Sequence, residues 1–261
     1  MEHPLAAKLR KVRWQDLRKL NRKESLLENT LTLPWLIGSL VLAGFEQYLF
    51  ATLCSFMFFL TALRQSHNGF HNALGLNPFW TGMVLHINSL LMLSSMHAVK
   101  YNHLKHHRYC LGEEDHEGKA AKMSAIRAFF YGPMHIYHIH RIGIKEGGKK
   151  LRRKIYIDLA LVFALLLMAG FCNIKVLMYH VLVMLVGESF SAFFAVWTVH
   201  HDLEEEHVAR TMRSGWKNIL TYNMFYHLEH HLFPAVPTIK LPELAKRIDK
   251  EVPELVKKSV F

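Results

Sequence analysis

Three histidine clusters carry the chemistry available to this sequence. They are His67-Asn-Gly-Phe-His71, His103-Leu-Lys-His106-His107 and His227-Leu-Glu-His230-His231. Residues three and four apart share one face of a helix, so each cluster can aim two or three imidazoles at one point. Imidazole nitrogen suits iron and zinc, and eight such ligands exceed what one tetrahedral ion accepts. With 19 histidines in 261 residues, one HxxHH pattern arises by chance in roughly a tenth of such chains, and two in fewer than about one in a hundred. No Ser or Cys nucleophile constellation accompanies the clusters. Cys54, Cys110 and Cys172 are scattered without a CxxC pair and read as reduced thiols.

The elements that must position the clusters are apolar. Residues 34–45, 49–63, 155–172 and 176–199 are almost free of charge, as lipid-facing helices are. Of the 32 Lys and Arg residues, 31 lie outside the two short turns near Glu46 and Asn173. The net charge of +11 therefore follows the positive-inside pattern and gives no reason to expect nucleic acid as a partner. No cleavable signal peptide is expected. The expected fold class is all-α and integral to the membrane. Four transmembrane helices form two hairpins under a cytoplasmic helical cap that carries a histidine-ligated di-metal site. Both termini are expected in the cytoplasm. Within one domain, 1–28 is a basic arm lying at the membrane surface, 29–66 the first hairpin, and 67–154 a cytoplasmic and interfacial segment with clusters one and two. Residues 155–199 form the second hairpin and 200–261 the part of the cap with cluster three. Residues 79–96 read as interfacial or re-entrant and as a candidate wall for an extended substrate.

HNGFH, HLKHH and NMFYHLEHHLFP resemble the three histidine boxes of the membrane fatty acid desaturase and hydroxylase superfamily. The resemblance covers about residues 60–240. It implies four membrane helices under a cytoplasmic cap, two Fe ions held by histidine nitrogens, and O2 as co-substrate. The implied metal ligands are His67, His71, His103, His106, His107, His227, His230 and His231. The family's further ligand follows the last span, often as Gln-His before an acid. In Val199-His200-His201-Asp202 that pattern places it at His201, with His200 a possible additional ligand and His207 a weaker one.

Asn223 and Glu229 flank the third box and are candidates to orient ligand imidazoles. Glu188 lies within the last apolar run and is a functional candidate for that reason. Asp202 and Glu204 to Glu206 read as a solvated acidic turn. His86, His97 and His180 read as packed and hydrogen-bonded, and His116, His135, His138 and His140 as surface residues. The expected reaction is O2-dependent desaturation of a fatty acyl chain or related lipid. A hydroxylase or ketolase acting on a carotenoid or alkyl chain is the alternative within the superfamily; a membrane zinc hydrolase or metal transporter is the alternative outside it. His3-Pro4 lacks a haem motif and no cysteine set can hold an iron–sulfur cluster. A separate ferredoxin or cytochrome b5-like donor is therefore expected, drawn to the basic 100–154 segment.

Overall fold

Long apolar helices need somewhere dry to put their side chains, and in this chain many stay on the outside. The computed structural model describes residues 8–203, 207–255 and 257–260, and its regular structure among them is helical, with one isolated bridge between Thr211 and Ser259. Leu49, Phe50, Leu53 and Phe56 on one helix, and Phe163, Leu167 and Phe171 on another, are exposed. A belt of this kind is costly in water and favourable against lipid tails.

Helix α1 (Arg22–Thr30) starts on a capping box, in which Asn21 accepts from the Glu24 amide and Glu24 accepts from the Asn21 amide, each at 2.9 Å. It runs on into α2 (Leu33–Gly44), so that Arg22–Gly44 is long and apolar enough to cross a membrane. The first span thus begins earlier than the apolar run at Pro34. A tight turn, with Glu46 at φ 58°, leads into α3 (Tyr48–Phe70). Then α4 (Pro78–Met92) and α5 (Met96–Tyr109) meet at a 109° bend. Leu93 makes the bend in the left-handed region at φ 60°, and Ser89 holds it by accepting from the Met96 amide at 2.9 Å. The pair can be read as a broken span or a re-entrant loop.

Short α6 (Ala125–Phe130) and α7 (Gly132–Glu146) precede α8 (Lys149–Cys172), which is also long and apolar enough to cross. Gly132 is required where it sits, because a Cβ there would lie 1.7 Å from the Ser189 carbonyl oxygen. The chain turns at Asn173 into α9 (Lys175–Ser189), then a π-helical turn (Ala192–Trp197) and a three-residue α10 (Thr198–His200). Lys175 pairs with Glu46 at 3.3 Å, which puts the tips of the two hairpins at the same end.

At the other end lie α11 (Gly215–Leu220), α12 (His227–Leu232) and α13 (Leu241–Glu251). The described part of the basic arm packs here. Val12 and Leu17 join Phe233, Leu244, Ile248 and Val252 in one cluster, and Arg247 grips Asp16 with two hydrogen bonds of 2.8 and 3.0 Å. The arm is part of the cap, and its sequence-stretch Leu9–Leu17 faces protein as well as solvent.

A buried ion pair joins these layers. Arg64 on α3 pairs with Glu28 on α1, and its other guanidinium nitrogen donates to the Tyr222 carbonyl at 2.7 Å. Asn68 donates to Glu28 at 2.9 Å and accepts from the Thr238 amide and hydroxyl. Removing one partner of a buried pair strands the other charge and costs about 3–5 kcal/mol. Glu28→Ala should therefore lower the thermal unfolding midpoint of the purified protein in detergent, whereas Glu24→Ala, at the less buried cap, should lower it far less. Equal, small shifts would contradict this account of the junction.

Candidate metal centre

Box one ends α3, box two lies on α5 and box three forms α12. The geometry that brings them together is helical arithmetic. Positions i and i+4 differ by about 40° around a helix, while i+3 falls to the other side. His103 and His107 point one way and His106 another; His227 and His231 point one way and His230 another. The result is two neighbouring groups: His67, His71, His103, His107 and His230, and His106, His200, His227 and His231, with the donor atoms of each group within 4.8 Å of one another. Boxes two and three each serve both groups, whereas spacing alone suggests that each box aims at one point.

The Nε2 atoms converge. In the first group His103 lies 3.1 Å from His71, His107 3.1 Å from His103, and His230 2.8 Å from His107. In the second, His106 and His227 each lie 3.0 Å from His200, and His231 3.2 Å from His227. Three of the Nδ1 atoms face outward to partners. His103 meets Glu117 at 2.9 Å, His106 meets Asp115 at 2.7 Å, and His200 meets the Val208 carbonyl at 2.9 Å. An imidazole that donates through Nδ1 presents a lone pair at Nε2. Lone pairs facing one another at 3 Å repel, and a cation at the common point turns that repulsion into ligation. The buried Nε2 of His67 has no hydrogen-bond partner, which also fits a metal ligand. The nine imidazoles form two adjoining groups, each of which could hold a metal ion.

The sequence matches the fatty acid desaturase family over residues 43–258. The chain belongs to that family. No curated protein matches it. The matched region contains all three boxes and both histidine groups of this desaturase-family chain.

His201, expected as the further ligand, lies outside both groups, and its neighbour His200 lies within the second. The reason is the π-helical turn followed by the end of α10 at His200. His200 is buried, while His201 stacks flat on Trp197, ring centroids 3.8 Å apart, and bonds the Trp197 carbonyl through Nδ1 at 2.8 Å. His207 joins neither group. Glu229 faces away from the imidazoles, accepting from Thr211 at 2.6 Å and pairing with Arg213. Asn223 shapes a turn at φ 61°, donating its amide to the Asn218 carbonyl. Glu188 is buried at the end of α9, outside both groups. His180 is packed and bonds the Leu91 carbonyl, whereas His135 is buried, contrary to its surface reading. Glu204 to Glu206 lie outside the described residues.

Sequence reasoning missed Asp115 and Glu117, the carboxylate partners of His106 and His103. Asp115 also accepts the Leu111 and Gly118 amides at 2.7 and 2.8 Å. Burial pushes its carboxyl up, but these donors and His106 outweigh it and bring it down to about 2. Glu117 is pushed up to about 7 by burial. Gly118 was the available signal: a Cβ there would lie 2.2 Å from Asp115 Oδ2, so any other residue would push the Asp115 carboxylate out of its place against box two. In box three, burial holds His227, His230 and His231 well below the ordinary histidine range, and neighbouring imidazoles add to it. All three thus stay neutral and keep their lone pairs at neutral pH.

This geometry separates two adjacent residues. His200→Ala should lose about one metal ion per chain in elemental analysis after anaerobic iron loading, and His201→Ala should retain the parent's content. The reverse pattern would return the ligand to His201.

Proposed function

We propose that this protein is a di-iron, O2-dependent membrane oxidoreductase that desaturates a fatty acyl chain or related lipid. The convergence of nine Nε2 atoms into two adjoining groups, in a chain of the fatty acid desaturase family, is the observation that carries the reading. His67, His71, His103, His107 and His230 would hold one iron, and His106, His200, His227 and His231 the other. When bound, the pair of irons supplies the oxidising power, drawn from O2, that removal of hydrogen from an unactivated chain requires.

The chain's own residues supply position and enclosure. Asp115, Glu117 and the Val208 carbonyl fix the rotation of His106, His103 and His200, so the ligand nitrogens are pre-set. His67, His103, His106, His200, His227 and His230 are buried, which limits the access of bulk water to the centre. The nearness of boxes one and two to the ends of apolar helices suits a substrate that enters from the bilayer. Electrons would come from a separate ferredoxin or cytochrome b5-like donor, for which the basic 100–154 segment offers a complementary surface.

Four crossings, with the cap and both termini in the cytoplasm, are the topology that accompanies this reading. It is supported by the shared end of the two hairpin tips and by the 31 of 32 basic residues away from them. Reporters fused to either end should both register cytoplasmic; opposite sides would contradict the topology.

The function is tested by expressing the gene in a host whose membranes lack the product and profiling lipids and pigments against a His230→Ala control. A new double bond in acyl chains, lost in the control, is expected. A new hydroxyl or keto group on a carotenoid or alkyl chain would overturn the acyl desaturase reading and favour the alternative chemistry. Stoichiometric zinc in the centre, with no iron after anaerobic iron loading, would favour a hydrolase.

A further inference from the structure

A third cluster of donor atoms lies apart from the nine-histidine centre. It is formed by His86 on α4, His97 at the start of α5, and Asp158 on α8, with one donor atom of each within 4.8 Å of the others. The Nδ1 atoms of the two rings face the two oxygens of one carboxylate, His86 at 2.5 Å and His97 at 2.9 Å. The Ser95 hydroxyl reaches the same carboxylate at 2.6 Å.

Asp158 is wholly buried, one turn inside the basic start of a helix whose next residues are apolar. A carboxylate in such surroundings needs a compensating charge. Among the described residues its ion-pair partners are these two histidines, which carry no charge when neutral. The His97 ring is itself only 3% exposed, and its Nε2 has no hydrogen-bond partner. Hydrogen bonds from the two rings and Ser95 satisfy the carboxylate oxygens, while the neutral rings bring no positive charge to balance it.

Two imidazoles and a carboxylate are a ligand set for a divalent first-row ion, with coordination positions left open. We propose that His86, His97 and Asp158 bind a third metal ion, separate from the pair in the nine-histidine centre. A bound divalent cation balances the Asp158 charge and ties three helices together at the 109° bend between α4 and α5. The bend fixes the start of α5, the helix that carries His103, His106 and His107. Ser95, which caps that helix by accepting from the Ala98 amide, is held by the same carboxylate, and its own amide donates to His140 Nε2 at 2.9 Å. The ion is thus a structural staple under box two. Ser95 is buried in this junction.

The test is a metal count on the full-length protein in detergent, loaded anaerobically with Fe2+ alone or with Zn2+ alone and then desalted. Three ions per wild-type chain are expected in at least one loading, and two in His86→Ala, where the histidine is partly exposed and the change is mild. His200→Ala should lose an ion from the nine-histidine centre and keep the third. Failure of the di-iron reading would thereby leave this site's ion in place, and failure of this site would leave the centre's count at two. Should His86→Ala not fold, anomalous scattering from the metal-loaded wild type decides: a peak beside His97 and Asp158 is expected. Equal ion counts in the wild type and His86→Ala, or no peak at that position, would overturn the proposal.

Discussion

Everything in this fold answers to the repulsion between imidazole lone pairs brought to about 3 Å. Nine ring nitrogens facing one another would drive the boxes apart unless each ring were anchored from behind or cations filled the space between. The anchors that the structure provides are Asp115, Glu117 and the Val208 carbonyl. They act at Nδ1 and so decide what Nε2 can do. The HxxHH spacing then distributes the rings. One i, i+4 pair from each box stays together, and the i+3 histidine crosses to the neighbouring group. Two boxes with this spacing, one on α5 and one on α12, give three histidines to each of two adjoining groups, and His67, His71 and His200 complete them.

Holding such a centre requires rigid supports at fixed separation. Box one ends α3, which is long and apolar enough to cross a membrane, and the outward faces of α3 and α8 suit lipid. Several of the polar groups that enter this framework are paired. Glu28 and Arg64 lock α1 to α3, and Arg64 and Asn68 reach the Tyr222 and Thr238 turns of the cap. Arg213 and Thr211 secure box three through Glu229. Each buried charge costs solvation, and each recovers it only in the assembled geometry, which makes these pairs specific as well as cohesive.

Much of this was legible in the residues alone. The boxes, the apolar hairpins and the turns near Glu46 and Asn173 follow from spacing and hydrophobic runs, because those patterns are local. The ninth histidine was not, because His200 and His201 differ by one residue and a π-helical turn upstream sets which of them faces inward. Asp115 and Glu117 were hidden for a different reason: their role depends on a loop that folds back over α5, which Gly118 permits but no periodicity announces. In the sequence Asp158 is one polar residue near the start of an apolar run. Its meaning emerges only when α4, α5 and α8 meet around it. Likewise the basic arm reads as membrane-binding from charge alone, while Asp16, Val12 and Leu17 give it a seat on α13.

The central claim is that the histidines form two separate ion sites that share boxes two and three. Anomalous scattering at the iron edge, collected on anaerobically loaded protein, tests it most directly. The account predicts two peaks within the nine-histidine centre, one bounded by His67, His71, His103, His107 and His230, the other by His106, His200, His227 and His231. A single peak there, or a second one bounded by His201 instead of His200, would contradict it.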